Sequence, residues 1–333
     1  MVNNRHPAGQ AAPGTICAAP VGPPAGLEVI SLAALRARTR AHGTDLGAPQ
    51  RPAFHQVLTL ASGTLRQSVD FTAHDVVRDT WLWTRPGQVL QWGDLTGAEG
   101  TLIAFERDFP GAATVRAARL DDPHARVLCA PEGEVATSLR VATEHLVHEF
   151  RAPGRLPRDA RSAVLRHLLD VLILRLAHPE GSDAPPTGPG ETFLRFRAAV
   201  ERDFARTRRV DDYALTLGYS ARTLSRAALE SAGIGAKEFI DRRVILEAKR
   251  LLAHTDLAAA RIAAQLGFSS ATNFAKYFHQ RAGQAPIAFR TAVRGRGSGI
   301  PSARDGGDAA AADACQGRQG PSDASPGCPG GAP

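Results

Sequence analysis

Between residues 51 and 110 the apolar positions come in short runs separated by turn residues. Phe54–Leu60 is apolar and rich in β-formers, and Thr64–Phe71 alternates with Leu65, Val69 and Phe71 on one face. Trp81–Thr84, Gln88–Trp92 and Thr101–Phe105 follow, with Arg85-Pro86-Gly87 and Gly97–Gly100 between them. Short strands at roughly ten-residue spacing with Gly/Pro turns predict a small barrel or jelly roll. The period then changes. Glu132–Phe150 places Leu139, Ala142, Leu146 and Phe150 on one stripe, and Arg158–Ala177 follows Pro157 with a wide stripe that includes Leu165, Leu168, Leu169, Leu172, Ile173 and Leu176. Both patterns predict helices, which either pack on the barrel or pair with a second copy through positions such as Leu168 and Leu172.

Residues 190–294 read as helical throughout, and here a pattern occurs twice. Tyr213-Ala214-Leu215-Thr216-Leu217-Gly218-Tyr219-Ser220 is followed by Ala221–Arg226, and Ile262-Ala263-Ala264-Gln265-Leu266-Gly267-Phe268-Ser269 by Ser270–Lys276. The two glycines stand 49 positions apart (267 − 218). In each copy a short helix carries an Ala for close approach, a Gly supplies the positive φ that ends it, an aromatic plugs the turn, and Ser220 or Ser269 caps the next helix. That next helix is amphipathic: Phe274 and Phe278 face inward, and Thr272, Ala275, Lys276 and His279 fall on the other side. These are the parts of a helix-turn-helix, whose second helix enters a major groove. The spacer Lys237–Leu252 carries Ile240, Val244, Ala248 and Leu251 at helical spacing. Sixteen residues span about 24 Å, which sets the two reading helices near one DNA turn, roughly 34 Å, apart.

The rest of the chain frames these two halves. Residues 1–50, rich in Ala, Pro and Gly with one short helical stretch at Leu27–Arg38, and residues 295–333 read as weakly structured tails. His178–Gly190, HPEGSDAPPTGPG, reads as a linker. The expected division is therefore tail 1–50, sensor or dimerisation domain 51–178, linker 179–190, DNA-reading domain 191–294 and tail 295–333. The net charge is +7. Residues 190–296 hold 19 Lys and Arg against 10 Asp and Glu, or +9, so everything else sums to −2. One segment carries the basic character, which points to a phosphate-bearing partner at that end. The four cysteines, Cys17, Cys129, Cys315 and Cys328, form no CxxC pair, which fits a reducing cytoplasm better than a disulfide scaffold or a zinc site. No apolar run nears a membrane span, and the first residues do not read as a signal peptide.

At residues 195–292 the sequence resembles the DNA-binding domain of AraC/XylS-type transcription regulators. Ile262–Pro286, IAAQLGFSSATNFAKYFHQRAGQAP, is similar to that family's signature, and Arg243–Leu252, RVILEAKRLL, to its linker helix. The resemblance implies that Ala221, Arg222, Thr223, Ser225 and Arg226 in the first motif, and Ser270, Ala271, Thr272, Asn273, Ala275 and Lys276 in the second, face the groove. Arg222 and Arg226 then meet guanine or phosphate, and Asn273 meets adenine. The chain departs from the family pattern at Ala228, where a large apolar residue is usual, and at Gly235-Ala236. Arg85-Pro86-Gly87-Gln88-Val89 resembles a strand-turn-strand of the family's cupin-like ligand domain. The implied architecture is α+β: a small cupin-like β-barrel with flanking helices, then an all-α double helix-turn-helix domain. The implied partners are promoter or operator DNA, with a small-molecule effector, a homodimer partner and RNA polymerase as further candidates; no cofactor is expected.

Two other functions compete. A cupin enzyme with an accessory DNA module needs a cluster of metal ligands on neighbouring strands; His55 and His74 lie in the strand region, but Leu90 stands where another His would help. Glu144-His145-Leu146-Val147-His148-Glu149 spaces its histidines at i and i+3 rather than the i and i+4 of a zincin. There is no Gly-x-Ser-x-Gly elbow and no phosphate-binding Gly-x4-Gly-Lys loop. Trp81, Trp83 and Trp92 all fall in the strand region, in a core or around a pocket. The other competitor is an architectural binder, which would show little sequence discrimination.

Overall fold

The computed structural model describes residues 24–152, 156–178 and 190–295. The sheet half runs β1 (Leu27–Ser31), α1 (Leu32–His42), β2 (His55–Ser62), β3 (Leu65–Val69), β4 (Thr72–Val76), β5 (Trp81–Thr84), β6 (Leu90–Trp92), β7 (Glu99–Phe105), α2 (Ala112–Ala117), β8 (Leu128–Cys129), α3 (Gly133–Arg151) and α4 (Arg158–Ala177). Two antiparallel sheets result, ordered β1-β7-β2-β5-β8 and β4-β3-β6. They face one another across a shared core. Leu58, Leu60, Leu82 and Leu102 come from the larger sheet, and Leu65, Val69, Leu90 and Trp92 from the smaller. The barrel thus takes the form of an open pair of sheets whose interior is filled by side chains. The mixed α+β architecture is the one the sequence pattern implies.

The opposite face of the larger sheet is equally apolar, because β2, β5 and β7 put Val57, Trp81, Trp83, Ile103 and Phe105 there. α3 and α4 cover it with Leu139, Leu146, Leu165, Leu169, Leu172 and Ile173. Leu172 is fully buried in this cluster, and Leu168 is partly buried against it. All three tryptophans are core residues.

Residues 27–50 correct the expected tail. Leu27–Ser31 is not the start of a helix but a strand paired with β7 in the register Leu27↔Phe105 to Ser31↔Thr101. Leu27, Val29 and Ile30 are buried, so both faces of β1 are covered and its apolar residues do not alternate. Ser31 then caps α1, its Oγ accepting from the Ala34 amide at 3.2 Å. Residues 1–23, most of the expected linker and residues 296–333 lie outside the described residues.

The helical half comprises α5 (Glu191–Asp203), α6 (Val210–Leu217), α7 (Ala221–Ala232), α8 (Ala236–His254), α9 (Ala259–Gln265), α10 (Ala271–Ala282) and α11 (Pro286–Arg294). It has two cores joined by one helix. Phe239, Ile240 and Val244 of α8 belong to a cluster with Phe196, Tyr213, Leu224 and Ala228. Ile245, Ala248 and Leu252, further along α8, belong to a second cluster with Ile262, Phe274, Phe278 and Phe289. Ala228 and Ala236 are fully buried among aromatic rings, so the small residues of the first motif sit inside a filled core.

Candidate nucleic-acid interface

The doubled sequence pattern folds into the same turn twice. After α6 the Tyr219 amide donates to the Ala214 carbonyl (3.0 Å) and Gly218 to Leu215 (3.3 Å); after α9 Phe268 donates to Ala263 (2.9 Å) and Gly267 to Ala264 (3.1 Å). Both glycines have φ 72°. This pair of bonds satisfies the last carbonyls of the helix and requires a left-handed residue. The second glycine has another reason to be one. A Cβ there would stand 2.1 Å from the Ala205 carbonyl oxygen, whereas at Gly218 it would meet nothing within 4 Å. The small residues Ala214 and Ala263 are buried at the helix crossings.

The reading helices begin at serine caps. Ser220 Oγ accepts from the Thr223 amide at 3.0 Å, and Ser270 Oγ from the Asn273 amide at 3.1 Å. The second cap is therefore Ser270 and not Ser269. Ser269 lies one residue too early to reach the first turn's amides; its hydroxyl instead accepts from Asn273 Nδ2 at 2.9 Å.

On α7, Arg222 and Arg226 are exposed, and Arg226 makes a long ion pair to Glu230 at 3.7 Å. Thr223 is half-buried and shares a hydrogen bond with Ser220, Ser225 is half-buried, and Ala221 packs against the first core. On α10, Ala271, Thr272, Asn273 and Lys276 are exposed, Ala275 is half-buried, and the Ser270 hydroxyl is engaged in its cap. Each helix thus turns apolar side chains inward (Leu224 and Ala228; Phe274 and Phe278) and presents polar or basic ones on its outer edge.

What orients these edges was not visible in the motifs. Asp241 on α8, almost wholly buried, accepts from Lys237 Nζ (2.6 Å), Tyr277 Oη (2.7 Å) and Arg281 Nη2 (2.5 Å), which ties α10 to α8. Burial pushes its carboxyl up, but the hydrogen bonds from Lys237, Tyr277 and Arg281 outweigh that and hold it below its ordinary value. Arg208 lies over the Phe268 ring at 3.9 Å and donates to the carbonyls of Leu266 and Gly267 (2.9 and 3.1 Å), clamping the second turn. In the sequence Asp241 is one of three acids on a helix with five Lys and Arg, and periodicity alone does not distinguish it from a surface charge.

α8 also carries the contact between the two halves. Arg250, 7% exposed, donates to both oxygens of Asp70 at 2.8 and 2.7 Å. Glu247 accepts from Arg51 (2.8 Å) and Arg243 (3.2 Å), with Arg250 at 3.5 Å. Burial alone would raise the Glu247 carboxyl; the three guanidinium groups bring it down to about 2. Arg243 continues to Glu201 (2.7 Å) and Glu201 to His124 (3.0 Å). Beside this network Phe71 meets Phe289 edge-on at 5.3 Å.

The family model for a helix-turn-helix domain matches residues 213–292. Residues 213–292 form a helix-turn-helix domain of the AraC type. The chain is 28% identical over 137 residues to the regulatory protein PocR of Salmonella typhimurium, covering 39% of this chain and 44% of that protein. It is 24% identical over 146 residues to the HTH-type transcriptional activator RhaS of Klebsiella pneumoniae, covering 44% and 52%. The match thus spans about half the length of these relatives. The crystal structure of ToxT from Vibrio cholerae O395 aligns over 81% of this chain and 99% of its own at 13% identity, with a TM-score of 0.39.

Among the described residues no three or more His, Cys, Asp or Glu come together as a metal site. His55 is buried against Phe105 with both ring nitrogens unpartnered. No helix among the described residues is long and apolar enough to cross a membrane.

Proposed function

We propose that this chain is a sequence-specific regulator of transcription in the cytoplasm. It reads promoter or operator DNA with α7 and α10. The observation that carries this reading is the repetition of one capped, basic-edged helix on two sides of α8. That helix is 19 residues long; at about 1.5 Å per residue it spans about 28 Å. Such a spacing suits two successive major grooves on one face of a duplex. Arg222 and Arg226 on α7, and Thr272, Asn273 and Lys276 on α10, are the side chains assigned to the groove. The sheet half serves to sense a small molecule or to pair two chains, and RNA polymerase is the partner through which occupancy changes transcription.

The test is selection of bound duplexes from a random-sequence pool by the full chain at moderate salt. The expected result is a motif with two elements about one helical turn apart. Binding without enrichment, falling steeply as salt rises, would mean phosphate contacts alone and would sink sequence-specific reading. Lys276→Ala is expected to weaken the selected site more than unrelated duplex; equal weakening of both assigns Lys276 to phosphate. For pairing, Val141 and Val171 are the apolar positions left exposed on α3 and α4, at 57% and 45%. Asp at both is expected to halve the apparent mass, and an unchanged dimer would move the interface elsewhere.

A further inference from the structure

The space between the two sheets is filled by leucines, valines and Trp92. A cavity of about 630 Å³ lies elsewhere, at the end of the larger sheet's other face, where α3 runs past it. Its volume is in the range of small-molecule sites. The strand register builds its floor. Thr59 of β2 stands opposite Trp81 of β5 on one side and opposite Thr101 of β7 on the other. α3 supplies the wall from residues three and four apart, among them Arg140, Thr143, Val147 and Arg151. Trp81 donates its indole N–H to Thr143 Oγ1 at 3.1 Å, which fixes wall to floor. The stretch after β4 closes the third side with Arg78 and Asp79.

The hydrogen-bonding inventory of this cleft is unbalanced. Asp79 is already neutralised, since Arg140 donates to it at 2.9 Å and Arg78 lies 3.8 Å away. Among the described residues Arg151 has no ion pair, and the hydroxyls of Thr59 and Thr101 have no side-chain hydrogen bond. The lining carries three arginines against Asp79 and Glu144, a net excess of one positive charge. Unused donors and excess positive charge beside the aliphatic surface of Ala61 and Val147 suit a molecule with an acidic head and an apolar body. A carboxylate pairs with a guanidinium through two parallel hydrogen bonds, and further oxygens suit the threonine hydroxyls.

We propose that this cleft binds a small organic carboxylate bearing hydroxyl oxygens, its acid held by Arg151 with Arg78 and its hydroxyls by Thr59 and Thr101. This deepens the sensing role proposed above by giving it a place and a ligand class. The site lies on the helix-covered face of the larger sheet, outside the packed interior between the sheets. Occupancy bears on α3, and through α3 on the helical pair.

The test uses the full chain and two acids, 4-hydroxybenzoate and gluconate, against the neutral counterparts 4-hydroxybenzamide and sorbitol. Binding is read by tryptophan emission, which Trp81 makes sensitive to the cleft, and by thermal shift. No DNA is present, so failure of DNA reading and failure of this site are separate results. At least one acid is expected to bind saturably and its neutral counterpart at least tenfold more weakly, a difference of about 1.4 kcal/mol. Arg78→Gln with Arg151→Gln is expected to weaken the acid at least tenfold while leaving the unfolding temperature of the free protein unchanged. Val147→Trp, which fills the cleft, is expected to abolish binding; if it fails to fold, Ala61→Trp on the exposed rim replaces it. The proposal is overturned if neither acid binds at about 10 mM, if acid and neutral forms bind alike, or if the arginine pair and the filling variant leave affinity as it was.

Discussion

Removing the Asp70 carboxylate is expected to cost about 3 kcal/mol and to uncouple the two halves of the chain. The magnitude follows from what the side chain holds. Its oxygens accept from Arg250 Nε and Nη2 (2.8 and 2.7 Å), from the Val89 amide (3.0 Å) and from Gln88 Nε2 (3.0 Å). Breaking a buried ion pair from one side typically costs about 3–5 kcal/mol, because the remaining charge stays desolvated. Arg250 keeps Glu247 at 3.5 Å, which places Asp70→Ala at the low end of that range. Arg250→Ala is milder, about 2 kcal/mol, since Asp70 retains two hydrogen bonds to uncharged donors. The two changes act on one contact, so the double variant is expected to fall short of their sum by about 2 kcal/mol. Asp70 has φ 49°, which favours Asp or Asn over Ala; Asp70→Asn therefore separates lost charge from backbone strain. The assay is urea unfolding followed by two signals. Tryptophan emission reports the sheet half alone, where all three tryptophans lie, and far-ultraviolet circular dichroism follows the helices. The signals are expected to coincide in the parent chain and to separate in Asp70→Ala. A coupling energy under about 0.5 kcal/mol, with coincident transitions in every variant, would refute the claim that this ion pair joins the halves.

Three further outcomes are expected, two at the helix-turn-helix motifs and one in the sheet half. Ser270→Ala is expected to cost about 1 kcal/mol as a lost cap, and Ser269→Ala less than half of that, by thermal denaturation; the reverse order would return the cap to Ser269. Gly218→Ala is expected to cost about 1 kcal/mol for its left-handed φ, and Gly267→Ala at least twice as much, because its Cβ also meets the Ala205 carbonyl; equal costs would rule out that clash. Burial and the nearby Arg85 lower His55 to about 4. Below its ordinary value of 6.5 the unfolded chain takes up a proton that the folded chain refuses, so stability falls as pH drops from 6.5 to 4, by about 3 kcal/mol over the whole window. Glu247, held at about 2, contributes fully above about 4.5 and loses that contribution only as pH falls further. His55→Phe is expected to flatten the stability profile between pH 6.5 and 4.5, and an unchanged slope would contradict the buried neutral imidazole.

Those parts of the fold whose rules are local were legible along the chain. The turn after Gly218 recurs after Gly267 because helix ending, positive φ and serine capping each depend on a few neighbouring residues, and the two stretches repeat those residues. Arg158–Ala177 was legible to the residue, since Pro157 starts the helix and a broad apolar stripe continues through it. β1 was not legible: a short strand covered on both faces lacks alternation, and only its pairing with β7 makes Leu27–Ser31 a strand. The same holds for Ser270 as the cap, which depended on a one-residue choice between adjacent serines. How the parts are held depends on contacts between residues far apart along the chain. Asp70 and Arg250 are 180 positions apart, and Asp241 reaches Arg281 across 40. The cleft beside Trp81 draws its lining from three strands, the stretch after β4 and a helix. Such groupings arise from strand register and helix docking, which bring together side chains whose spacing along the chain carries no period to read.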